Sequence, residues 1–258
     1  MNRYQSVAEY YDAENERLAM LRRDVPFFLA QLPKRGRLSI LELASGTARA
    51  AIPIAQAGHR VVGVDNNRGM LEMARRKRDG VGLGERELKL VHGDVLQLKL
   101  GRKFDRVCLL FNTMLAFTTI EQQDRLLAGV RNHLKPGGRF WVDIFNPDMM
   151  RLAVPRAMGI DATLMFLPGD GRSVLRTVDV RRDLARQVQR ITFQYRWFDG
   201  HGVQKKRKAE FDLTYIFPRE LRLLVERNGM AIEKMYGNYD GSGVTGDSPR
   251  IIAMCKRA

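Results

Sequence analysis

The hydrophobic pattern of the first part of the chain alternates between short apolar runs and stretches with helical spacing. The apolar runs have the length of buried strands and lie at residues 38–43, 60–64, 88–92, 104–111 and 139–145. Between them, the patterns at 69–78 and 120–134 and the Ala/Ile-rich stretch ending at Gly58 predict helices. This alternation predicts parallel βαβ units with right-handed crossovers, and such sheets bind ligands at the carboxyl ends of their strands.

The pattern changes after Pro147. In residues 187–198, apolar Ile191, Phe193, Tyr195 and Trp197 alternate with polar positions, which is typical of a half-buried strand. A turn at 199–202 leads into a second alternating stretch at 203–217, and residues 173–183 predict a third strand of a small antiparallel sheet.

The core pattern then resumes with a helix at 219–227 and strands near 231–236 and 250–255. The fold class that we predict is α/β: a Rossmann-like, doubly wound, mostly parallel seven-stranded sheet with a small antiparallel β insert. The predicted core covers residues 1–148, which include an N-terminal helical cap, and 216–258. The predicted insert, a lid or substrate wall, covers 149–215.

The net charge raises the question of a nucleic-acid partner. The 258 residues carry 44 Lys+Arg against 29 Asp+Glu, a formal net charge of +15. In the insert, however, cations such as Arg190, Arg196 and Lys206 alternate with the aromatic residues, whereas surfaces that bind single-stranded nucleic acid place both together. A solvated sheet face is therefore favoured, and the basic tract at 205–208 keeps an RNA platform open.

Apolar segments and cysteines narrow the cellular setting. The apolar runs are far shorter than the roughly 20 residues that span a bilayer, and residues 1–4 open no apolar signal segment. We expect a cytoplasmic protein without membrane association. Cys108 and Cys255 lie inside apolar runs and predict reduced core thiols, and no metal site is predicted.

Three acids mark the predicted ligand edge of the sheet. Glu42 lies in the first strand, Asp65 ends the second and Asp94 follows the third. The turn after the first strand places Gly46 where the backbone passes close to a ligand, but it lacks the G-x-G-x-x-G motif that a dinucleotide pyrophosphate needs. Carboxylates suit a ligand with hydroxyls, amines and positive charge, and they would repel a pyrophosphate.

At these residues the sequence resembles the class I S-adenosylmethionine-dependent methyltransferases over essentially the whole chain. The segments that carry the resemblance are I-L-E-L-A-S-G-T-A-R (40–49), V-V-G-V-D-N-N (61–67), H-G-D-V (92–95) and L-K-P-G-G-R-F (134–140). Ala44 and Ala48 depart from the family, since many members carry Gly there.

The resemblance implies S-adenosylmethionine as the cofactor and S-adenosylhomocysteine as its product. Asp65 would hold the ribose hydroxyls and Asp94 the adenine amine, with Val95 beside it. The full set of implied cofactor residues is Glu42, Ala44, Gly46, Thr47, Asp65, Asn66, Asp94, Val95, Phe111 and Asn112.

The insert and the N-terminal segment Y-Q-S-V-A-E-Y-Y-D (4–12) resemble a subset of these enzymes, small-molecule and sugar N-methyltransferases with a β-sheet lid. In that subset the N-terminal helix closes over the cofactor, so Tyr10 or Tyr11 could approach the sulfonium or the acceptor. Tyr11 is the candidate catalytic residue, although packing of this helix on the sheet is the favoured explanation for both tyrosines. Candidate substrate residues at the same edge are Phe145, Asn146, Tyr236 and Tyr239, for which turn and pocket roles are both open.

The function that we predict is in-line methyl transfer from S-adenosylmethionine to a nitrogen or oxygen of a small-molecule acceptor. Asn112 stands where amino-methylating nucleic-acid enzymes carry a D/N-P-P-Y/F motif, but the prolines are missing. Two alternatives stay open: an RNA methyltransferase that uses the basic insert, and a cofactor-binding protein without enzymatic activity.

Overall fold

Eleven strands and seven α-helices make up the computed structural model, which describes residues 8–16, 18, 20–167 and 171–258. The strands are β1 (Ser39–Leu43), β2 (Arg60–Asp65), β3 (Leu88–His92), β4 (Phe104–Leu109), β5 (Leu134–Phe145), β6 (Arg156–Leu167), β7 (Arg172–Asp183), β8 (Val188–Phe198), β9 (Gln204–Thr214), β10 (Met230–Tyr236) and β11 (Arg250–Arg257). The helices are α1 (Ala8–Glu16), α2 (Leu21–Ala30), α3 (Ala51–Gln56), α4 (Arg68–Gly80), α5 (Ile120–His133), α6 (Met149–Leu152) and α7 (Pro218–Arg227), with a short 3-10 helix at Thr113–Ala116.

Seven strands form one sheet in the order β10-β11-β5-β4-β1-β2-β3. Strands β1 to β5 pair in parallel, and only β11 runs antiparallel to its two neighbours. The carboxyl ends of β1 to β5 and of β10 therefore meet at one edge, which we call the carboxyl edge. The chain order reverses between β1 and β4, so a crevice opens there.

Helices cover both faces of this sheet. On one face, α5 packs Leu126 and Leu127 against β4 and β5, and α7 packs against β10 and α5. On the other face, Phe28 of α2 stacks on Trp141 of β5. The second sheet has the order β6-β7-β8-β9 and is antiparallel throughout. The predicted fold class, a mostly parallel seven-stranded sheet with a small antiparallel insert, is confirmed. The division into a core and a 149–215 insert domain stays a prediction.

Two details differ from the expected elements. Strand β6 was missed, because two register shifts and the left-handed residues Gly159 and Asp161 break its alternating pattern. Strand β4 ends at Leu109 rather than at Phe111, because Phe111 and Asn112 both have positive φ angles, 51° and 63°, and leave the strand.

Helix α1 packs against the second sheet. The ring of Tyr10 stacks on Tyr195 of β8 with centroids 4.6 Å apart, and the Tyr195 hydroxyl donates to Glu14 Oε1 at 2.6 Å. Arg176 of β7 lies 3.7 Å from the same carboxylate. Tyr10 and Glu14 are one helical turn apart, so this face of α1 is committed to the insert.

Two further observations concern the setting predicted from the sequence. Cys108 and Cys255 are free and buried. Within the described ranges, no helix has both the length and the apolar character needed to cross a membrane.

The turn after β1 contains left-handed backbone at residues with side chains. Ala44 and Ala48 have φ angles of 54° and 61°, and Gly46 between them has 54°. Left-handed backbone brings Cβ close to the following carbonyl and costs about 1–2 kcal/mol for most residues other than glycine. The chain therefore stores strain at the two alanines, where many members of the family that the sequence resembles carry Gly.

Ala44→Gly should raise the free energy of unfolding by about 1 kcal/mol, because the relief of left-handed strain exceeds the entropy that glycine adds to the unfolded chain. Ala128→Gly in α5 is the matched control and should lower it by about 1 kcal/mol. Urea denaturation of the three proteins gives both values. Equal destabilisation by the two glycines would contradict the strain assigned to Ala44.

Candidate active site

The turn after β1 lies beneath helix α1. The Gly46 N–H donates to Asp65 Oδ2 at 2.8 Å, which fixes the turn against the end of β2. A Cβ on Gly46 would stand 4.0 Å from Cε1 of Tyr11. The ring of Tyr11 therefore covers the glycine at which the backbone would approach a ligand.

Glu42 is a buried acid with an open oxygen. Its side chain is 5% exposed, and Oε2 has no hydrogen-bond partner among the described residues. Burial raises the pKa of Glu42 to about 8, against the opposing pull of the nearby Arg49 guanidinium. Arg49 itself is held by the fully buried Asp24 through two bonds of 2.9 and 2.5 Å. An open buried acceptor at this position fits a cationic or hydrogen-bonding group of a ligand.

Asp65 is oriented by the backbone at the end of β2. Its Oδ1 accepts from Asn67 N–H at 2.8 Å and its Oδ2 from Gly46. Burial is the main cause that raises the pKa of this carboxyl above its ordinary value. A carboxylate offers about four acceptor sites, so its bonds to neighbouring backbone N–H groups leave capacity for a hydroxyl of a ligand.

The next residues along β2 and β3 have polar partners of their own. Asn67 Oδ1 accepts from Met70 N–H and caps α4, and the exposed Asn66 presents its carbonyl to His92 Nε2 at 3.2 Å. Asp94 is exposed, with Oδ1 accepting from Leu96 N–H at 2.9 Å, and Val95 is half-buried.

The segment that follows β4 contributes an aromatic ring to the crevice. Arg49 Cζ lies 5.5 Å from the centroid of the half-buried Phe111 ring. Asn112 Oδ1 accepts from Phe145 N–H at 2.7 Å, so this amide ties the end of β4 to the end of β5. The predicted residues of β1, β2 and β4 are thus brought to the same crevice by direct bonds between them or through Arg49.

Helix α1 also reaches the turn through Asp12. The hydroxyl of Thr47 donates to Asp12 Oδ1 at 2.7 Å, and Lys77 Nζ of α4 lies 3.0 Å from both Asp12 Oδ2 and Thr47 Oγ1. Burial raises the pKa of Tyr11 to about 12, so its phenol stays protonated at neutral pH. A phenol in this state can donate a hydrogen bond and does not act as a base.

The four candidate substrate residues have different surroundings. Asn146 Nδ2 donates to Ser248 O at 3.0 Å, and Phe145 is half-buried at the carboxyl edge. Tyr236 packs edge-on against Phe27 of α2. Tyr239 is 5% exposed, and its hydroxyl donates to Asp143 Oδ2 at 2.8 Å.

Several residues at this edge were missed by sequence reasoning. Asp12, Asp24 and Arg49 act through partners that are distant in sequence, so no local pattern marks them. Asp143 and Arg250 did carry a signal: each is a charge within or beside an apolar strand, and in the fold each is 1% exposed or less.

The sequence of the chain is similar to those of known methyltransferases. Residues 40–138, from β1 into β5, match the family model described as a methyltransferase domain. Over 98% of the chain and 96% of its own length, the cypemycin N-terminal methyltransferase of a Streptomyces species is 29% identical. The demethylmenaquinone methyltransferase of Thermus thermophilus is 33% identical over 56% of this chain and 64% of its own length.

Among solved structures, the sugar N-methyltransferase KedS8 from a Streptoalloteichus species superposes with a TM-score of 0.70 at 21% identity, covering 96% of this chain and 92% of its own. That likeness concerns the fold, and the family match covers the strands that form the crevice. Strand order, the acid-bearing turn and the matched domain agree, and the chain is a class I S-adenosylmethionine-dependent methyltransferase.

Proposed function

We propose that this enzyme transfers the methyl group of S-adenosylmethionine to the nitrogen of a small-molecule amine. The observation that carries the proposal is the similarity to an N-terminal methyltransferase across 98% of the chain, a span that includes the insert as well as the cofactor turn. The fold of KedS8, a sugar N-methyltransferase, likewise matches over nearly the whole chain. A hydroxyl acceptor is the competing possibility.

We assign the cofactor contacts as follows. Asp65, held by Gly46 and Asn67, faces the ribose hydroxyls, while Glu42 provides its open oxygen to the methionine portion. The remaining contacts are assigned to Ala44, Gly46 and Thr47 at the first turn, to Asn66, Asp94 and Val95 at the adenosine side, and to Phe111 and Asn112 at the end of β4.

The chemistry requires mainly positioning from the protein. When bound, S-adenosylmethionine supplies a methyl group already activated on a sulfonium. The protein then has to hold the acceptor in line and exclude water, effects that supply up to about 7–11 kcal/mol in favourable cases. Tyr11 on α1 covers Gly46, and its protonated hydroxyl suits a donor that orients an acceptor.

The insert supplies the wall on the acceptor side of α1. Its inner face carries Tyr195, Trp197 and Phe193, and arginines lie on that same face: Arg207 Cζ is 5.7 Å from the Trp197 centroid and Arg176 Cζ is 4.8 Å from that of Phe193. The alternating pattern predicts cations only on the face opposite the aromatic residues, and for Arg176 and Arg207 that prediction is wrong.

The outer face of the insert favours a solvated surface over an RNA platform. Two of its cations lie beside acids on the same face: Arg190 with Asp212 at 2.8 Å and Lys208 with Glu210 at 2.9 Å. Partial neutralisation of this kind lowers the attraction for phosphate.

Asp65→Ala should weaken S-adenosylhomocysteine binding at least about tenfold, because it removes charge-assisted hydrogen bonds to the ribose and loosens the turn at Gly46. Titration calorimetry measures the dissociation constant. Asp105→Ala is the control: that acid binds Ser39 and Lys135 at the opposite edge of the same sheet and should leave the affinity unchanged. Unaltered affinity in Asp65→Ala would remove the assigned ribose contact.

Affinity for S-adenosylmethionine should rise between pH 6 and pH 8, by up to about tenfold per pH unit. Glu42 is mostly protonated in the free protein below its raised pKa of about 8, and a cationic ligand favours the ionised form. Because folding raises the pKa of Glu42, the free protein is also stabilised at low pH. That contribution is complete below the ordinary pKa of the carboxyl and is lost as the pH rises through about 8. Calorimetry in two buffers of different ionisation enthalpy should show a proton released on binding.

Glu42→Gln provides the comparison for this pH effect. The amide has no titration in the range, so its binding curve should be flat from pH 6 to pH 8 and no proton should be released. A slope that survives in Glu42→Gln would assign the proton to another group.

The acceptor class is tested by S-adenosylhomocysteine release with matched acceptors. Amino sugars and short peptides with free amino termini should be turned over, whereas their hydroxyl or N-acetylated counterparts should not. The rate at subsaturating acceptor should rise with pH up to the pKa of the amine, because only the neutral amine attacks. Turnover of hydroxyl compounds alone would point to oxygen.

Two further outcomes would overturn the proposed enzyme class. Methylation of RNA with binding that falls steeply with salt would identify a nucleic-acid enzyme. Tight cofactor binding without turnover of any amine, alcohol or RNA would instead support a cofactor-binding protein without this activity.

A further inference from the structure

A buried carboxylate in β5 collects bonds from four donors. Asp143 is 0% exposed. Its Oδ1 accepts from Arg250 Nε at 2.9 Å and Nη2 at 2.6 Å, and its Oδ2 accepts from the Tyr239 hydroxyl at 2.8 Å and from Phe111 N–H at 3.2 Å. The three partners come from β11, from the loop that follows β10 and from the end of β4.

This arrangement is not explained by sheet stability. Asp143 and Arg250 are almost wholly removed from water, and the desolvation of a buried pair commonly offsets its Coulombic attraction. Trp141, two residues earlier on the same face of the strand, is apolar and buried, so an apolar residue would suit packing here. The charged group is better explained by the geometry that it imposes on its partners.

That geometry includes the left-handed turn at Phe111 and Asn112. Two consecutive left-handed residues with side chains cost about 1–3 kcal/mol each and persist only when their surroundings hold them. Asp143 holds both: its carboxylate accepts from Phe111 N–H, and its carbonyl accepts from Asn112 N–H at 2.9 Å.

Contacts run from this turn around the crevice and return to Asp143. Phe111 lies against Arg49, and Arg49 is bound by Asp24 of α2. The same helix places Phe27 and Phe28 against Tyr239, at centroid distances of 6.0 and 6.4 Å, and Tyr239 donates back to Asp143.

We propose that Asp143 is a positioning residue of this methyltransferase: through Phe111 N–H and Asn112 N–H it fixes the turn that forms the β4 wall of the cofactor site, with Tyr239 and Arg250 holding its carboxylate in place. The proposal rests on the location of the cofactor site at this crevice and is independent of the acceptor.

Tyr239→Phe is the most selective test, because it removes one hydroxyl and leaves the Asp143–Arg250 pair intact. S-adenosylhomocysteine should bind about five- to tenfold more weakly to this variant, as expected for one lost bond to a charged group that orients the site. Asp143→Asn should weaken binding further. Should that variant fail to fold, Tyr239→Phe alone still tests the proposal.

A double-mutant cycle separates positioning from general destabilisation. Phe111→Ala removes the ring that Asp143 positions and leaves Asn112, so adding Tyr239→Phe to it should weaken binding by clearly less than Tyr239→Phe does alone. Phe140→Leu, in a buried position of the same strand, is the control: it should lower the melting temperature while the affinity stays at the wild-type value.

Two results would overturn the proposal: wild-type affinity in a folded Tyr239→Phe, or an effect of Tyr239→Phe that persists in full beside Phe111→Ala. Neither result would contradict the proposed methyltransferase function, because S-adenosylhomocysteine binding to the wild-type protein and to Asp65→Ala tests that function separately. Failure of the wild-type protein to bind S-adenosylhomocysteine would remove the function and this proposal together.

Discussion

The site depends on left-handed backbone at the ends of two neighbouring strands. Beyond β1 and β4 the chain takes positive φ angles at Ala44, Gly46, Phe111 and Asn112, which turns it away from the sheet and opens the crevice between the two strands. The N–H groups freed from the ladder need acceptors. Asp65, from the strand beside β1, accepts from Gly46, and Asp143, from the strand beside β4, accepts from Phe111. Strands β2 and β5, which flank β1 and β4, thus each stabilise the bend of their neighbour with a carboxylate.

The charges of the molecule are divided between its surface and this crevice. A formal net charge of +15 coexists with an edge at which acids predominate. Several arginines lie close to the crevice, but Asp24 binds Arg49 and Asp143 binds Arg250, so their charge is largely compensated within the protein. Glu42 is the acid for which burial, rather than pairing, dominates. A cationic ligand therefore meets Asp65 and a Glu42 that ionises when the ligand binds, in spite of the basic composition.

The sequence was sufficient to predict the parallel core and the position of Glu42, Asp65 and Asp94 at successive strands, because period and strand-end position are local properties. It did not reveal β6, whose bulges erase its alternation. Nor did it indicate the pairing of Asp24 with Arg49, since contacts between distant segments leave no period in the chain. An acid inside the apolar run of β5 was visible in the sequence, but its partners only become identifiable once strand order is known.

Helix α1 has two opposed sets of contacts. Asp12 binds Thr47 and Lys77 of the large sheet's layer, and Glu14 binds Tyr195 of the small sheet. The two sheets cannot separate without breaking one set or stretching the nine-residue helix between them. An acceptor large enough to displace the insert would therefore also pull α1 away from the turn after β1. If the acceptor binds beside the insert, as we propose, its upper size is linked through this one short helix to how firmly the cofactor is retained.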